Sequence, residues 1–380
     1  MTGKTMTQKQ FAALITASML SPLLRSLPRT VVKTADKDAW LCIFPAFLLL
    51  LLLYTVQGHL LRKVPQGKGY ADLILHCLGP VVGRILLILY GIWFLFYSGF
   101  ILRSGTERLV AAVYPEYPIF PFMIVMTTLC LVAALGTLRA AGRAAFLLRS
   151  FLLAALVLVF LFAVPNISWE NLTPILQADT TGILLGSFSI AAIGGLGGCF
   201  PFLLRYVEPI EHPVRKAIPF ILICLGVAGL LCFEIVGTFG AALTEKLAYP
   251  FFLMVRDISI FHVTQRIEAV VVVFWIFADF ILCSSILRCA HECIRAVFHL
   301  PDPETQPALS LKGGKWLIWV EAALISVFGF LVTSSAFELE KWADGIVPLA
   351  GLFLFYVLLP IIAVIGELRD FAKMIKRHGP

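Results

Sequence analysis

The chain has 380 residues, of which 60% are hydrophobic and 14% charged, with a formal net charge of +7. A soluble globular domain of this length does not carry so apolar a composition, so the solvent to reason in is a lipid bilayer. The positive charge is the bias of cytoplasmic loops toward Lys and Arg, which meet anionic headgroups, and it implies no nucleic-acid partner.

A bilayer core about 30 Å thick takes roughly 20 apolar residues as a helix. Runs of that kind cover 10–27, 40–58, 85–102, 119–138, 146–164, 182–204, 218–242, 269–287, 316–332 and 345–365. The expectation is an all-α polytopic membrane protein of about ten transmembrane helices. A barrel is excluded because 48–53 and 152–161 are apolar on every face, whereas barrel strands alternate. Most Lys and Arg residues fall in the tails and the even-numbered connections, which places both termini in the cytoplasm. Lys4 and Lys9 before an apolar run imitate a signal peptide, but Arg25 and Arg29 stand where a small-residue cleavage site belongs.

Span one contains Ser21-Pro22, with Pro28 close behind, so its hydrogen-bond ladder must be interrupted. Ser18 and Ser21 beside that interruption are candidate ligand contacts. Tyr97 and Ser98 in span three are candidates to line a pocket, and packing explains them equally well. Arg149 opens span five. The connection 165–181 lacks Lys and Arg and offers Trp169 as an interface anchor. Its two Asn-x-Ser/Thr triplets are short enough to arise by chance.

Span six carries Gly194-Gly195-Leu196-Gly197-Gly198-Cys199-Phe200-Pro201. Glycine lowers helix propensity by about 1 kcal/mol and proline by about 3, so unwinding near the midplane is expected. Gly182, Gly186, Gly194 and Gly198 also satisfy the small-xxx-small spacing of close helix packing, so site and packing both remain open. Charges at bilayer depth cost about 2.5–3.5 kcal/mol on insertion scales, which makes Asp279 in span eight the first candidate for function. Trp275 lies one turn before it. Matched depth suggests Arg149 as its partner, a fixed charge in the place of a transported cation. Glu234 and Glu321 do not by themselves define a proton relay. Cys289, His291 and Cys293 stand close together without a fourth ligand at recognisable spacing, so no metal site is assigned, and the other cysteines read as buried thiols.

Both interruptions fall on the first helix of a set of five, and five crossings is odd, so the second half, 169–380, enters from the side opposite to the first, 1–168. This is the pattern of an inverted-repeat transporter, in which unwound backbone at the broken helices makes the ligand site. Free N–H groups suit a carboxylate and freed carbonyls an ammonium, so an α-amino acid suits both. Walker, dinucleotide, HExxH and GxSxG signatures are missing, which argues against an enzyme and leaves no catalytic residue or cofactor to assign.

Several segments together resemble one family. They are Thr7-Gln8-Lys9-Gln10-Phe11, Asp38-Ala39-Trp40-Leu41, Trp169-Glu170-Asn171-Leu172-Thr173-Pro174-Ile175-Leu176, Tyr206-Val207-Glu208-Pro209 and Val214-Arg215-Lys216-Ala217. Tyr249-Pro250, Arg256-Asp257-Ile258-Ser259-Ile260, Arg266-Ile267-Glu268 and Trp275-Ile276 complete the set. The chain is similar to the B-subunits of spore germinant receptors, the spore germination permeases of the amino acid, polyamine and organocation superfamily. The resemblance implies a ten-helix fold of the leucine-transporter type and an amino-acid-like nutrient between spans one, three, six and eight. It also implies A- and C-subunit partners in the inner spore membrane, and sensing; the alternative is a proton-coupled amino-acid permease that completes alternating access. Ser21-Pro22 stands where relatives usually place glycine, and Gly198-Cys199 where many carry an acidic residue.

Overall fold

Inside a bilayer every backbone polar group must find its partner within the segment, and a chain this apolar meets that condition as helices. The computed structural model describes residues 5–113, 116–258, 267–305, 314–332 and 336–378. Ser259, Ile260 and Arg266 of the family-like segments lie outside the described residues.

Helix α1 (Gln8–Ala35) starts at a capping box. The Thr7 hydroxyl accepts from the Gln10 N–H at 3.3 Å, and the Gln10 side chain accepts from the Thr7 N–H at 3.1 Å. Apolar on nearly all sides, α1 is buried along most of its length in the middle of the bundle. It runs as a helix straight through Ser21-Pro22 and Pro28, where unwinding was expected. The interruption is confined to the ladder: neither proline has an N–H, so the carbonyls of Ser18 and Leu24 lose their usual donors.

A 3₁₀ stretch (Asp36–Cys42) reverses the chain into α2 (Ile43–Lys63). The Gln8 side chain donates to the Pro209 carbonyl, and Gly58 of α2 faces Val214, so the ends of this run return to one face. Lys63 also pairs with Glu367 at 2.7 Å, which brings the C-terminal segment to the same face, called here the terminal face.

A short helix α3 (Tyr70–Leu78) leads into α4 (Pro80–Val113), α5 (Ile119–Leu135) and α6 (Leu138–Ala163). A single turn, α7 (Trp169–Leu172), precedes α8 (Thr180–Gly195). There the path tightens into a 3₁₀ stretch, Leu196–Tyr206, long for that geometry. The α-helix thus breaks at the glycine run, as expected, and continues as 3₁₀ backbone. Tyr54 supports this turn: its hydroxyl donates to the Gly194 carbonyl at 3.0 Å.

Helix α9 (Pro213–Phe239) is followed by the short helices α10 (Ala241–Thr244) and α11 (Pro250–Arg256), then by α12 (Ile267–Phe298) and α13 (Trp316–Leu331). The last crossing joins α14 (Ala336–Lys341), α15 (Val347–Leu352) and α16 (Leu359–His378) through π-helical segments at Trp342–Ile346 and Phe353–Leu358. Among the described residues, α1, α2, α4, α5, α6, α8, α9, α12, α13 and the α14–α16 run correspond to the ten apolar runs expected. Each set of five shares an order, with short helices after its second crossing: α3 in the first, α10 and α11 in the second. Leu48, Ile85, Phe151 and Leu161 remain exposed on the outside of the bundle, where lipid acyl chains cover them.

Candidate functional site

Asp279 sits near the middle of α12 and Ser21 near the middle of α1, so the two meet far from either surface. The Ser21 hydroxyl donates to Asp279 Oδ1, and Arg108 of α4 pairs with Oδ2. Gly105 makes the approach possible, since a Cβ there would come within 2.8 Å of Asp279 Oδ2. The Arg108 guanidinium lies 4.4 Å from the centre of the Trp275 ring, a stacking worth about 2 kcal/mol when water is excluded. Trp275 in turn meets the edge of Phe251 of α11 at 6.0 Å.

A second layer lies beside it. Tyr97, Phe100, Ser104 and Arg108 recur at helical spacing on α4, within reach of Arg25 of α1. Arg25 donates to Ser104 Oγ at 3.1 Å and stacks on Phe100 at 4.9 Å. Ser18 Oγ, Tyr97 OH, Ser98 Oγ, Trp275 Nε1, Arg25 Nε and Arg108 Nη1 are buried without a hydrogen-bond partner among the described residues. Buried polar atoms are normally satisfied, so these groups make the junction a candidate site.

A cavity of about 180 Å³ borders the Arg108, Trp275 and Asp279 end of this cluster. Arg108, Trp275 and Asp279 form its floor, and Tyr249, Phe252 and Arg256 line it from the segment around α11. Toward the terminal face, α12 is tied shut by polar pairs. Tyr206 donates to Glu292 at 2.6 Å, Arg295 to Glu292 at 2.8 Å and Arg288 to Glu304 at 3.0 Å, and His291 meets Glu321 at 3.1 Å. The backbone of Met6, which donates to the Tyr206 carbonyl at 2.8 Å, ties the start of α1 into the same region.

The residues singled out by sequence separate into groups. Ser21, Trp275 and Asp279 come together, with Ser18, Tyr97 and Ser98 buried in the adjoining part of the bundle. The span-six glycines face elsewhere. Gly194 packs on Leu50, Gly195 on Leu352 and Tyr356, Gly197 on Tyr54 and Gly198 on Gln57 and Phe355. Gly197 and Gly198 line a separate cavity of about 90 Å³ with Phe11, Tyr54, Gln57 and Phe220. The pairing of Arg149 with Asp279 is corrected: Asp279 is held by Arg108, while Arg149 stacks on Phe146 of its own helix at 5.3 Å. Equal depth along two helices does not fix which way a side chain points.

Arg108 and Arg25 are the residues sequence reasoning missed as site residues. The run 85–102 ends where charges begin, yet α4 continues to Val113 and turns Arg108 inward. The spacing Tyr97, Ser104, Arg108 was the available signal.

Residues 5–334 match the sequence profile of a family described as spore germination protein. A Bacillus subtilis (strain 168) chain, YfkT, itself described as a spore germination protein, is 24% identical over 275 residues, which cover 70% of this chain and 72% of that one. Among solved structures, the nucleobase-cation-symport-1 family transporter Mhp1, closed with bromovinylhydantoin bound, superposes with a TM-score of 0.60 at 13% identity, over 95% of this chain and 78% of its own. A Na⁺-coupled sialic acid symporter in a substrate-bound outward-open state gives 0.58 at 14% identity, over 92% and 79%. At such identities the likeness is one of fold, the leucine-transporter arrangement.

Proposed function

The chain belongs to the spore germination protein family, and we propose that it serves there as the membrane-embedded B-type subunit of a germinant receptor. A small nutrient, an amino acid being the first candidate, enters the cavity above Asp279 and shifts the population of a rocking bundle, and A- and C-type subunits read that shift. The termini lie in the cytoplasm and the bilayer is the inner membrane of the spore. The observation that carries this reading is the junction at Asp279. One carboxylate joins α1, the first helix of the first half, to α4 and α12, beside a cavity closed toward the terminal face. A ligand that bears on this junction acts on the relative placement of those helices.

Binding of radiolabelled amino acids to the purified chain in lipid nanodiscs tests the site, and loss of that binding in Arg108→Gln is expected. Uptake into proteoliposomes separates the sensor from a proton-coupled permease, which the fold of the two symport-type structures keeps in play. Binding without proton-driven accumulation is the expected outcome. Failure of every small nutrient to bind the assembled receptor would remove the sensor reading.

A further inference from the structure

The charges around α1 do not balance. Arg108 pairs with Asp279, Arg29 with Glu340, and Lys33 with Asp344 at 3.2 Å. Arg25 is left over. It is 6% exposed, and among the described residues its contacts, Ser104 Oγ and the Phe100 ring, are neutral, while Asp279 and Asp344 act on it through space without an ion pair. Glu340 and Asp344 share a cavity of about 20 Å³ with Arg25, yet both are engaged by Arg29 and Lys33. Arg25 and Arg108 are also neighbours, because Ser104, which Arg25 holds, stands one turn before Arg108 on α4.

Burying a guanidinium without a counter-charge is unfavourable by several kcal/mol, and buried charges are ordinarily paired. The orphaned atoms repeat the point. Arg25 Nε and Arg108 Nη1 can only donate, and Ser26 Oγ beside them has no partner among the described residues. Asp279 is the carboxylate of the larger cavity, and its oxygens already receive Ser21 and Arg108. Arg256 on the same wall adds another positive charge. The rest of the lining is apolar and aromatic: Phe252, Leu253, Val272, Trp275 and Ile276.

We propose that this site takes a small monocarboxylate with an apolar body, that Arg108 and Arg25 are its fixed cationic anchors, and that it requires no ammonium group on the ligand. The carboxylate enters the larger cavity against Arg108 Nη1 and neutralises the Arg25 charge across the Ala248–Tyr249 wall that both cavities share. A planar guanidinium suits a carboxylate in geometry as well as charge. The apolar body lies against Trp275 and Phe252. The cavity's size agrees, since an apolar cavity of about 150 Å³ holds a benzene-sized ligand, and a disaccharide is too large. An ammonium would have to compete with Arg108 for Asp279. The inference rests on the cavity being the nutrient site, and the probes below separate its failure from the failure of that reading.

The experiment is equilibrium binding to the full chain in lipid nanodiscs, with two sets of probes that share a carbon skeleton. One set is L-valine, 3-methylbutanoate and L-valinamide. The other is L-phenylalanine, 3-phenylpropanoate and L-phenylalaninamide, with glucose as a neutral control. The carboxylates are expected to bind within about tenfold of the amino acids, and the amides and glucose at least about 100-fold more weakly. Arg25→Gln should abolish the preference for carboxylate over amide, and Arg25→Lys should restore part of it. Arg108→Gln combined with Asp279→Asn, which leaves no unpaired carboxylate behind, should abolish it as well. Amides or glucose binding as tightly as the carboxylates, or a carboxylate preference unchanged in Arg25→Gln, would overturn the anionic assignment and leave the nutrient site standing. Binding by no probe at all would remove both.

Discussion

Replacing Asp279 with Asn takes away the carboxylate that holds Ser21 of α1 and Arg108 of α4 at once. The side chain keeps its size and can still accept a hydrogen bond, so the perturbation is one of charge. It leaves Arg108 and Arg25, 5% and 6% exposed, as neighbouring buried cations with no anion between them. Removing one partner of a buried ion pair costs about 3–5 kcal/mol, because the other is stranded. The weakened bond to Ser21 adds about 1 kcal/mol, not fully additive within one network. One kcal/mol moves the midpoint of a 150–250-residue domain by about 2–4 °C. In a chain of 380 residues the same energy moves it roughly half as far, so a fall of about 4–10 °C is expected. The assay is built into the molecule: the nine cysteines are all buried and free, so a thiol-reactive dye reports unfolding directly. The double variant Arg108→Gln, Asp279→Asn should recover most of the loss, since a neutral pair in place of a buried ion pair is close to energetically neutral. A midpoint unchanged in Asp279→Asn, or a double variant at the sum of the two single losses, would refute the reasoning.

The terminal-face closure predicts that Tyr206→Phe, which leaves Glu292 without its hydroxyl donor at 2.6 Å, loosens the region at a cost of about 1–3 kcal/mol. Maleimide labelling of Cys289 below the unfolding temperature should rise, read by mass spectrometry. Gly99→Ala puts a Cβ 2.8 Å from the Ile325 carbonyl and 2.9 Å from the Gly329 nitrogen, backbone that cannot move aside. It should destabilise by about 1–3 kcal/mol. Gly226→Ala, with nothing within 4 Å, should leave the midpoint unchanged or raise it. Burial, opposed by Arg288, lifts the carboxyl of Glu304 in the α12–α13 connection above its ordinary 4.5. The folded state then holds that proton more tightly than the unfolded one, so stability falls as pH rises from 4.5 through the raised value. Glu304→Gln should flatten that slope in midpoints measured across the window.

Spans were legible because length and apolarity alone define a candidate crossing, and each of the ten runs falls on a helix among the described residues. What those properties cannot show is where a helix ends when charges turn inward. Arg103 closes the apolar run of span three, yet it pairs with Glu107 at 3.1 Å within α4 and the helix continues for three more turns. Arg108, the partner of Asp279, was hidden in that stretch. The glycines of span six were legible as a close approach, but a glycine does not name what approaches it: here Tyr54, Gln57 and Tyr356. Proline gave the reverse difficulty. Pro22 and Pro28 remove donors without bending α1 out of helical form, because the surrounding helices bury it nearly all round.

The site proposed here lies at the junction of α1, α4 and α12, and this bears on what would transmit a signal. An uninterrupted α1 of 28 residues is a rod about 42 Å long, with Ser21 at its middle and Met6 just before its start hydrogen-bonded to the end of the span-six 3₁₀ stretch at 2.8 Å. In the proposed mechanism a carboxylate bound at Arg108 Nη1 bears on the Asp279 junction that holds Ser21, and α1 tilts as a body. The tilt reaches the terminal face beside Tyr206, whose hydroxyl closes the α12 network through Glu292. Spin labels at Lys9 and at Arg215 measure this directly. The proposed carboxylate ligand should shift their distance distribution in the wild-type chain, and the shift should vanish in Ser21→Ala, where Asp279 no longer holds α1. A shift of equal size in that variant would show that α1 is not the moving element.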